Sequence, residues 1–233
     1  MGDDWRKRKR SKMSAIQLNH LKFHYTQGPL VLDIPELKIE QSEKVFIHGP
    51  SGTGKSTFLN LVSGILSPSQ GDLLVLNQNL ANLSAGARDQ FRGKNIGYIF
   101  QSFNLIPYLT IKDNILLGQH FRKSDFNIEH RADQLAKDLN ISAHYNKKAT
   151  QLSLGQQQRV ACARALIQKP QLVIADEPTS SLDDKNTIEF MNLLIKEWEE
   201  LKFTLVFVSH DLTLARYFDR TIALEEINKV VSI

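Results

Sequence analysis

Cysteine is almost missing from this chain. Cys162 is the single thiol in 233 residues, so no internal disulfide can form. That usage suits a reducing compartment, and the small neighbours Ala161 and Ala163 mark Cys162 as a packing residue rather than a reactive one. Long apolar runs are missing too. Nowhere does the sequence approach the ~18 uninterrupted apolar residues of a membrane span, and no apolar signal-peptide core follows the N-terminus. There is no internal repeat, and no low-complexity segment beyond the N-terminus.

A net charge of one sign is also missing from most of the chain. The formal charge is +4, but residues 1–12 hold Arg6, Lys7, Arg8, Lys9, Arg10 and Lys12 against Asp3 and Asp4. Setting these aside leaves 23 basic and 23 acidic residues, a neutral remainder without the basic stripe of a nucleic-acid binder. Residues 1–12 read as a disordered tail ahead of Met13, whose charge would also allow contact with anionic lipid headgroups. The remaining 13–233 are long enough for one large α/β domain with a substantial core.

What is present begins with Gly49-Pro50-Ser51-Gly52-Thr53-Gly54-Lys55-Ser56-Thr57, which fits G-x-x-x-x-G-K-S/T at every fixed position. A loop wrapped round a polyphosphate must aim several backbone N–H groups inward, and Gly52 and Gly54 permit the unusual dihedrals this needs. Lys55 then reaches the β- and γ-phosphates, and the Ser56 hydroxyl is placed to ligate Mg²⁺. The apolar strand of residues 44–47 enters the loop and a helix over 56–62 leaves it, its N-terminal dipole favouring an anion. This is the pattern of a nucleoside-triphosphate site.

Around it, strands are expected at 15–25, 30–39, 73–76, 95–100, 172–175 and 204–208. Helices are expected from Ser84 to about 92, across 128–139, and at about 156–168 and 185–201. Strands alternating with helices imply an α/β fold with a mainly parallel sheet, and the first strands form a small β-layer beside the nucleotide. Residues 101–152 read as an inserted helical subdomain between the core segments 13–100 and 153–233. The strand at 172–175 delivers Asp176 and Glu177 at its C-terminal end. Asp176 is placed to hold Mg²⁺, and Glu177 to polarise a water attacking the γ-phosphate.

With these motifs in view the chain, from about Ser14 onward, resembles the ATP-binding-cassette ATPases. Leu152-Ser153-Leu154-Gly155-Gln156-Gln157-Gln158-Arg159 is similar to the signature that names that family, and Gln101 stands where it has its Q-loop glutamine. Ser181-Leu182-Asp183 resembles the D-loop, His210 the switch histidine, and Tyr25 the aromatic residue that stacks on adenine. Within the family, residues 92–107 look like the lipoprotein-release, macrolide-efflux and cell-division group, which pairs a short ATPase with a separate membrane subunit.

The resemblance implies a P-loop NTPase core with an N-terminal antiparallel β-layer, and Mg²⁺-dependent ATP hydrolysis coupled to transport or to conformational work. It implies a dimer of two copies closing head to tail over two ATPs, with Ser153, Gly155 and Gln156 facing the partner's phosphate loop. His210 would hold the γ-phosphate, and Gln101 would join Ser56 and Asp176 at the metal. An integral membrane permease would be met through residues 101–118. The location implied is cytoplasmic, on the inner face of the plasma membrane, reached through the permease with the basic tail as a further contact, and with no nucleic-acid partner.

The alternative is a soluble cassette, scaffold or regulator outside transport. Repair-type cassettes carry long coiled coils, for which residues 102–152 are too few and lack heptads. Translation-type proteins join two cassettes, and one phosphate loop is present here. Three departures from the family pattern stand out. Leu154 replaces the first signature glycine. Ser42 stands for glycine in the turn before the phosphate-loop strand, an exchange expected to do no harm. The final hairpin lacks its usual glycine, with Asn228 expected there in a left-handed conformation. With few residues after His210, no additional regulatory domain is expected.

Overall fold

The computed structural model describes residues 13–121 and 125–230, with the side chains of His120 and Phe121 left out. The basic tail of residues 1–12 lies outside the described residues. Strands β1 (Ser14–His24) and β2 (Leu30–Glu40) form an antiparallel hairpin, followed by β3 (Lys44–His48) and helix α1 (Lys55–Val62). Strands β4 (Gln70–Val75) and β5 (Gln78–Asn79), helix α2 (Ala85–Asn95) and strand β6 (Ile96–Ile99) come next. Helices α3 (Ile111–Leu116), α4 (Ile128–Asp138) and α5 (Leu154–Leu166) precede strand β7 (Leu172–Asp176). The chain closes with α6 (Asp184–Leu201), β8 (Thr204–Val208), β9 (Arg220–Ala223) and α7 (Leu224–Ile227).

Two sheets result. The first is antiparallel, in the order β2-β1-β4-β5, and the second is parallel, in the order β6-β7-β8-β3-β9. The parallel strands are buried on both faces, which is why they read as unbroken apolar runs. Their side chains alternate between two cores. Phe46, Val173, Ala175, Leu205 and Phe207 face a cluster shared with α3 to α6. Val45, Ile47, Leu172, Ile174, Val206 and Val208 face α1 and the antiparallel sheet. Phe46 stacks on Phe207 with ring centroids 6.1 Å apart, and burying each such ring contributes about 1.5–3 kcal/mol. Ile111, Ile115, Leu135, Leu139 and Ile141 belong to the same cluster as Phe46 and Phe207, so the helical segment shares its core with the sheet.

Four local expectations are corrected. The β4 strand ends at Val75, and Leu76 (φ 50°) and Asn77 (φ 63°) form a two-residue turn that pairs Val75 with Gln78. Both central residues at positive φ is the geometry that matches strand twist in a tight hairpin. Residues 101–110 are irregular rather than helical, with Phe103 and Asn104 at positive φ. Helix α5 starts two residues earlier than the apolar pattern suggests, because Ser153 and Gln156 close a reciprocal capping box. Asn228 does not take a left-handed turn: it is extended, with φ −83° and ψ 114°, after α7.

Ser42 does adopt the left-handed conformation of a glycine position, with φ 60°. Its Oγ donates to the Lys202 carbonyl at 2.5 Å and its N–H to Thr204 Oγ1 at 3.0 Å. These bonds tie the turn to the start of β8 and offset the strain, which for a residue bearing Cβ is about 1–2 kcal/mol.

Candidate nucleotide site

The parallel order places the C-terminal ends of β3, β7 and β8 side by side, β8 lying between the other two. Ligands of open α/β sheets bind at that edge, outside the carboxyl ends of the strands. From β3 the chain enters the glycine-rich loop, where Gly52 and Gly54 sit at φ 85° and 95°. Gly54 is the N-cap of α1 and offers no side-chain cap, so the first N–H groups of the helix stay available to an anion. Lys55 Nζ donates to the Gly49 and Pro50 carbonyls at 2.7 and 2.8 Å, holding the ammonium within the loop. Thr53 Oγ1 donates to the Pro50 carbonyl at 2.9 Å, which firms the turn ahead of Lys55. Ser56 is exposed at the loop's exit.

Strand β7 brings Asp176 and Glu177 to the same edge. Glu177 has φ 43°, an uncommon value for a residue with Cβ, and its N–H is held by the Val208 carbonyl at 2.9 Å. From the end of β8, His210 Nδ1 stands 3.4 Å from Glu177 Oε2. The Asp176 carboxyl is pushed above its ordinary range, chiefly by burial and then by the Glu177 charge, with Lys55 and the Tyr98 hydroxyl opposing. Two carboxylates crowded beside one lysine are relieved by a divalent cation. The donor set of Ser56 and Asp176 therefore fits Mg²⁺.

Tyr25 leaves β1 half exposed, packed edge-on against Phe23, and its hydroxyl meets Thr57 Oγ1 at 3.1 Å. An aromatic face is thereby fixed over the start of α1. Gln101 is exposed just past β6, the neighbour of β7. The structure thus gathers Lys55, Ser56, Asp176, Glu177 and His210 on one edge, with Tyr25 and Gln101 bordering it.

The signature and D-loop residues form a second locus. Ser153 and Gln156 cap α5, Asp183 caps α6 through the Asn186 N–H at 2.8 Å, and Ser181 is exposed ahead of that cap. Gly155 is where the two helix starts meet, since a Cβ there would lie 2.8 Å from Asn186 Oδ1. Among the described residues no hydrogen bond joins either segment to the phosphate loop of the same chain. Leu154 occupies the first turn of α5 with its side chain half exposed (51%), pointing into neither core.

Sequence reasoning missed three contributors. Tyr98 faces Ile174 in the β6–β7 register, on the face that Asp176 continues, and burial followed by the Asp176 charge raises its hydroxyl pKa. Arg164 of α5 donates to the carbonyls of Phe103 and Asn104 at 2.7 and 2.6 Å, clamping the segment after Gln101. Asn228 reaches the phosphate loop from the far end of the chain. Only strand register could have found Tyr98; the other two contacts span 60 residues or more. Beside Tyr98 and Arg164 lies an apolar groove of about 680 Å³, lined by Ile65, Arg92, Phe100, Ile106 and Gln168 among others.

A family model described as ABC transporter matches residues 32–180. An uncharacterized ABC transporter ATP-binding protein, YvcR of Bacillus subtilis, is 40% identical, over 92% of this chain and 85% of its own length. The lipoprotein-releasing system ATP-binding protein LolD of Xanthomonas campestris is 34% identical, over 91% of each chain. Among solved structures, the ATP-binding cassette MJ0796 of Methanocaldococcus jannaschii, dimeric in a post-hydrolysis state with ADP and Pi, superposes with a TM-score of 0.80. The match covers 89% of this chain and 93% of that one at 38% identity.

Proposed function

The chain belongs to the ABC transporter family, and we propose that it is the ATP-hydrolysing subunit that drives a separate membrane permease from the cytoplasmic face of the plasma membrane. One observation carries this reading. Glu177 and His210 stand together at the strand edge that also presents Lys55 and Ser56, which is where a γ-phosphate and its attacking water belong. Lys55 and the N–H groups at the start of α1 hold the phosphates. Glu177 polarises the water and takes its proton, while His210 orients it against the γ-phosphate. Mg²⁺, when bound, neutralises phosphate charge; Ser56, Asp176 and Gln101 would hold it.

Two copies close head to tail. Ser153, Gly155 and Gln156, which make no hydrogen bond to the chain's own loop among the described residues, then meet the partner's γ-phosphate with the N-terminal dipole of α5 behind them. The D-loop residues Ser181, Leu182 and Asp183 lie on the same face, and Tyr25 stacks on adenine. Leu154 lies in the first turn of α5, where leucine supplies the same backbone N–H as glycine, which supports an active signature. Replacing Leu154 with glycine should change turnover by less than about tenfold, or about 1.4 kcal/mol in barrier. Steady-state assays of the purified homodimer check this. A nearly inactive wild type rescued a hundredfold by glycine would make a heterodimer the better model.

The permease docks through the 101–118 region, whose Asn104, Ile106, Leu117 and Gly118 line one side of an apolar groove completed by Ile65, Arg92, Phe100 and Arg164 among others. Reconstitution with that subunit tests the whole scheme. Lys55→Ala should weaken ATP binding at least about tenfold, since a charge-assisted phosphate contact disappears. Ile65→Arg, in the groove, should leave hydrolysis by the isolated cassette intact and abolish stimulation by the permease. Unchanged ATP affinity in the first variant, or full stimulation in the second, counts against the assignment.

A further inference from the structure

Asn228 makes more polar contacts than its place in a C-terminal segment would suggest. Its Oδ1 accepts the Asp33 N–H at 2.8 Å and the Val230 N–H at 3.3 Å. Its Nδ2 donates to the Val31 carbonyl at 3.0 Å and to the Thr53 carbonyl at 3.3 Å. Every partner is backbone. Val31 and Asp33 lie on β2, Thr53 lies in the phosphate loop, and the next N–H, of Lys229, donates to the Asp33 carbonyl at 2.8 Å. One amide therefore joins three segments that are distant in sequence.

The bond to Thr53 has a geometric consequence. The described chain has no cis peptide bond, and in a trans peptide the C=O and N–H point opposite ways. With the Thr53 carbonyl turned toward Asn228, the Gly54 N–H points the opposite way, away from the C-terminal segment. The loop cannot easily swing back, because Leu32 of β2 packs behind Gly54: a Cβ on that glycine would lie 2.7 Å from Leu32 Cδ2. Asn228 thus fixes the direction of a donor that the phosphate cradle uses.

We propose that Asn228 is a positioning residue for nucleotide binding, holding the Thr53–Gly54 peptide so that its N–H faces the phosphates. The proposal rests on the reading of this chain as an ATP-binding subunit. In that role the C-terminal segment belongs to the nucleotide site through the loop backbone that Asn228 holds.

The test compares wild type, Asn228→Ala, Asn228→Asp and the control Lys229→Ala, whose amine donates to the Glu226 carbonyl at 2.8 Å. Asn228→Asp keeps the acceptor used by Asp33 and Val230, but sets a carboxylate oxygen against the Val31 and Thr53 carbonyls. Affinity is read by displacement of a fluorescent ATP analogue, KM and kcat by steady-state hydrolysis, and folding by thermal melting without nucleotide. Both Asn228 variants should bind ATP about tenfold more weakly, with KM raised alike and kcat within about threefold of wild type. Lys229→Ala should match wild type. Should Asn228→Ala fail to fold, Asn228→Ser, which keeps a short polar group and loses the amide donor, carries the same comparison. Wild-type affinity in the folded variants overturns the proposal, as does a loss confined to kcat and melting temperature, the mark of a merely structural anchor. A wild type that binds no ATP overturns the ATPase reading itself.

Discussion

Glu177→Gln should bind ATP with nearly wild-type affinity and hydrolyse it about 10²–10⁴-fold more slowly, the range expected when a general base is lost. The substitution keeps the shape of the side chain and removes the charge that polarises water. The backbone is not expected to move, because the left-handed φ of 43° is held by the Val208 carbonyl rather than by the carboxylate. If closure requires bound ATP, the variant should accumulate as an ATP-loaded dimer, visible by size-exclusion chromatography with saturating ATP and Mg²⁺. A strictly monomeric profile would refute closure over two nucleotides. Hydrolysis within a few-fold of wild type would move the general base elsewhere.

The largest expected loss of stability lies away from the nucleotide. Arg131 of α4 and Glu197 of α6 form an ion pair at 3.1 Å, with side chains 6% and 1% exposed. Removing one member of such a pair leaves the other buried and unneutralised, which costs about 3–5 kcal/mol. Arg131→Ala should therefore lower the melting temperature by about 6–20 °C, taking about 2–4 °C per kcal/mol for a domain of this size. A sign can be attached to pH. Burial raises the Glu197 pKa, Arg131 opposes it, and the Asp138 and Glu200 charges add to the rise. A native carboxyl with a raised pKa keeps a proton that the unfolded chain has lost, so stability falls as pH rises through the raised value. Without Arg131 the rise is larger, and the deficit of Arg131→Ala should be greater at about pH 8 than at about pH 5. Thermal melts of both proteins at the two pH values test this; a deficit independent of pH would show that Glu197 is not the group left stranded.

The sequence carried the phosphate loop, the strand ending in Asp176 and Glu177, and the order of sheet and helix, because each is local. Four apolar residues before two acids specify a buried strand with a polar end wherever it sits. Failures occurred where a contact, not a pattern, decides the backbone. Asn228 looked like a turn residue because asparagine tolerates φ > 0, yet its amide bonds to residues 195 and 175 positions away hold it extended. The apolar period alone puts the start of α5 two residues late, because it begins after Gly155, whereas the cap exchanged between Ser153 and Gln156 begins before it. The signature is in consequence the first turn of a helix. The clamp of Arg164 on the segment after Gln101 links two motifs that the sequence shows only as separate, so the distance in space between them could not be read.

The parallel sheet also dictates when the site can come into being. Strand β3, which feeds the phosphate loop, is flanked by β8 and β9, whose residues lie about 160 and 175 positions downstream. During synthesis the loop and its lysine leave the ribosome early, but the strand beneath them has no hydrogen-bonded neighbour until residues 204–223 follow. Pairings so distant in sequence close slowly, since the chain entropy of the loop is lost before the contacts are gained. The antiparallel hairpin of β1 and β2 forms from neighbours and needs no such wait. A nascent cassette therefore carries an unpaired apolar strand until residues 204–223 are made, and ATP becomes a ligand of this chain only once β8 and β9 have flanked β3.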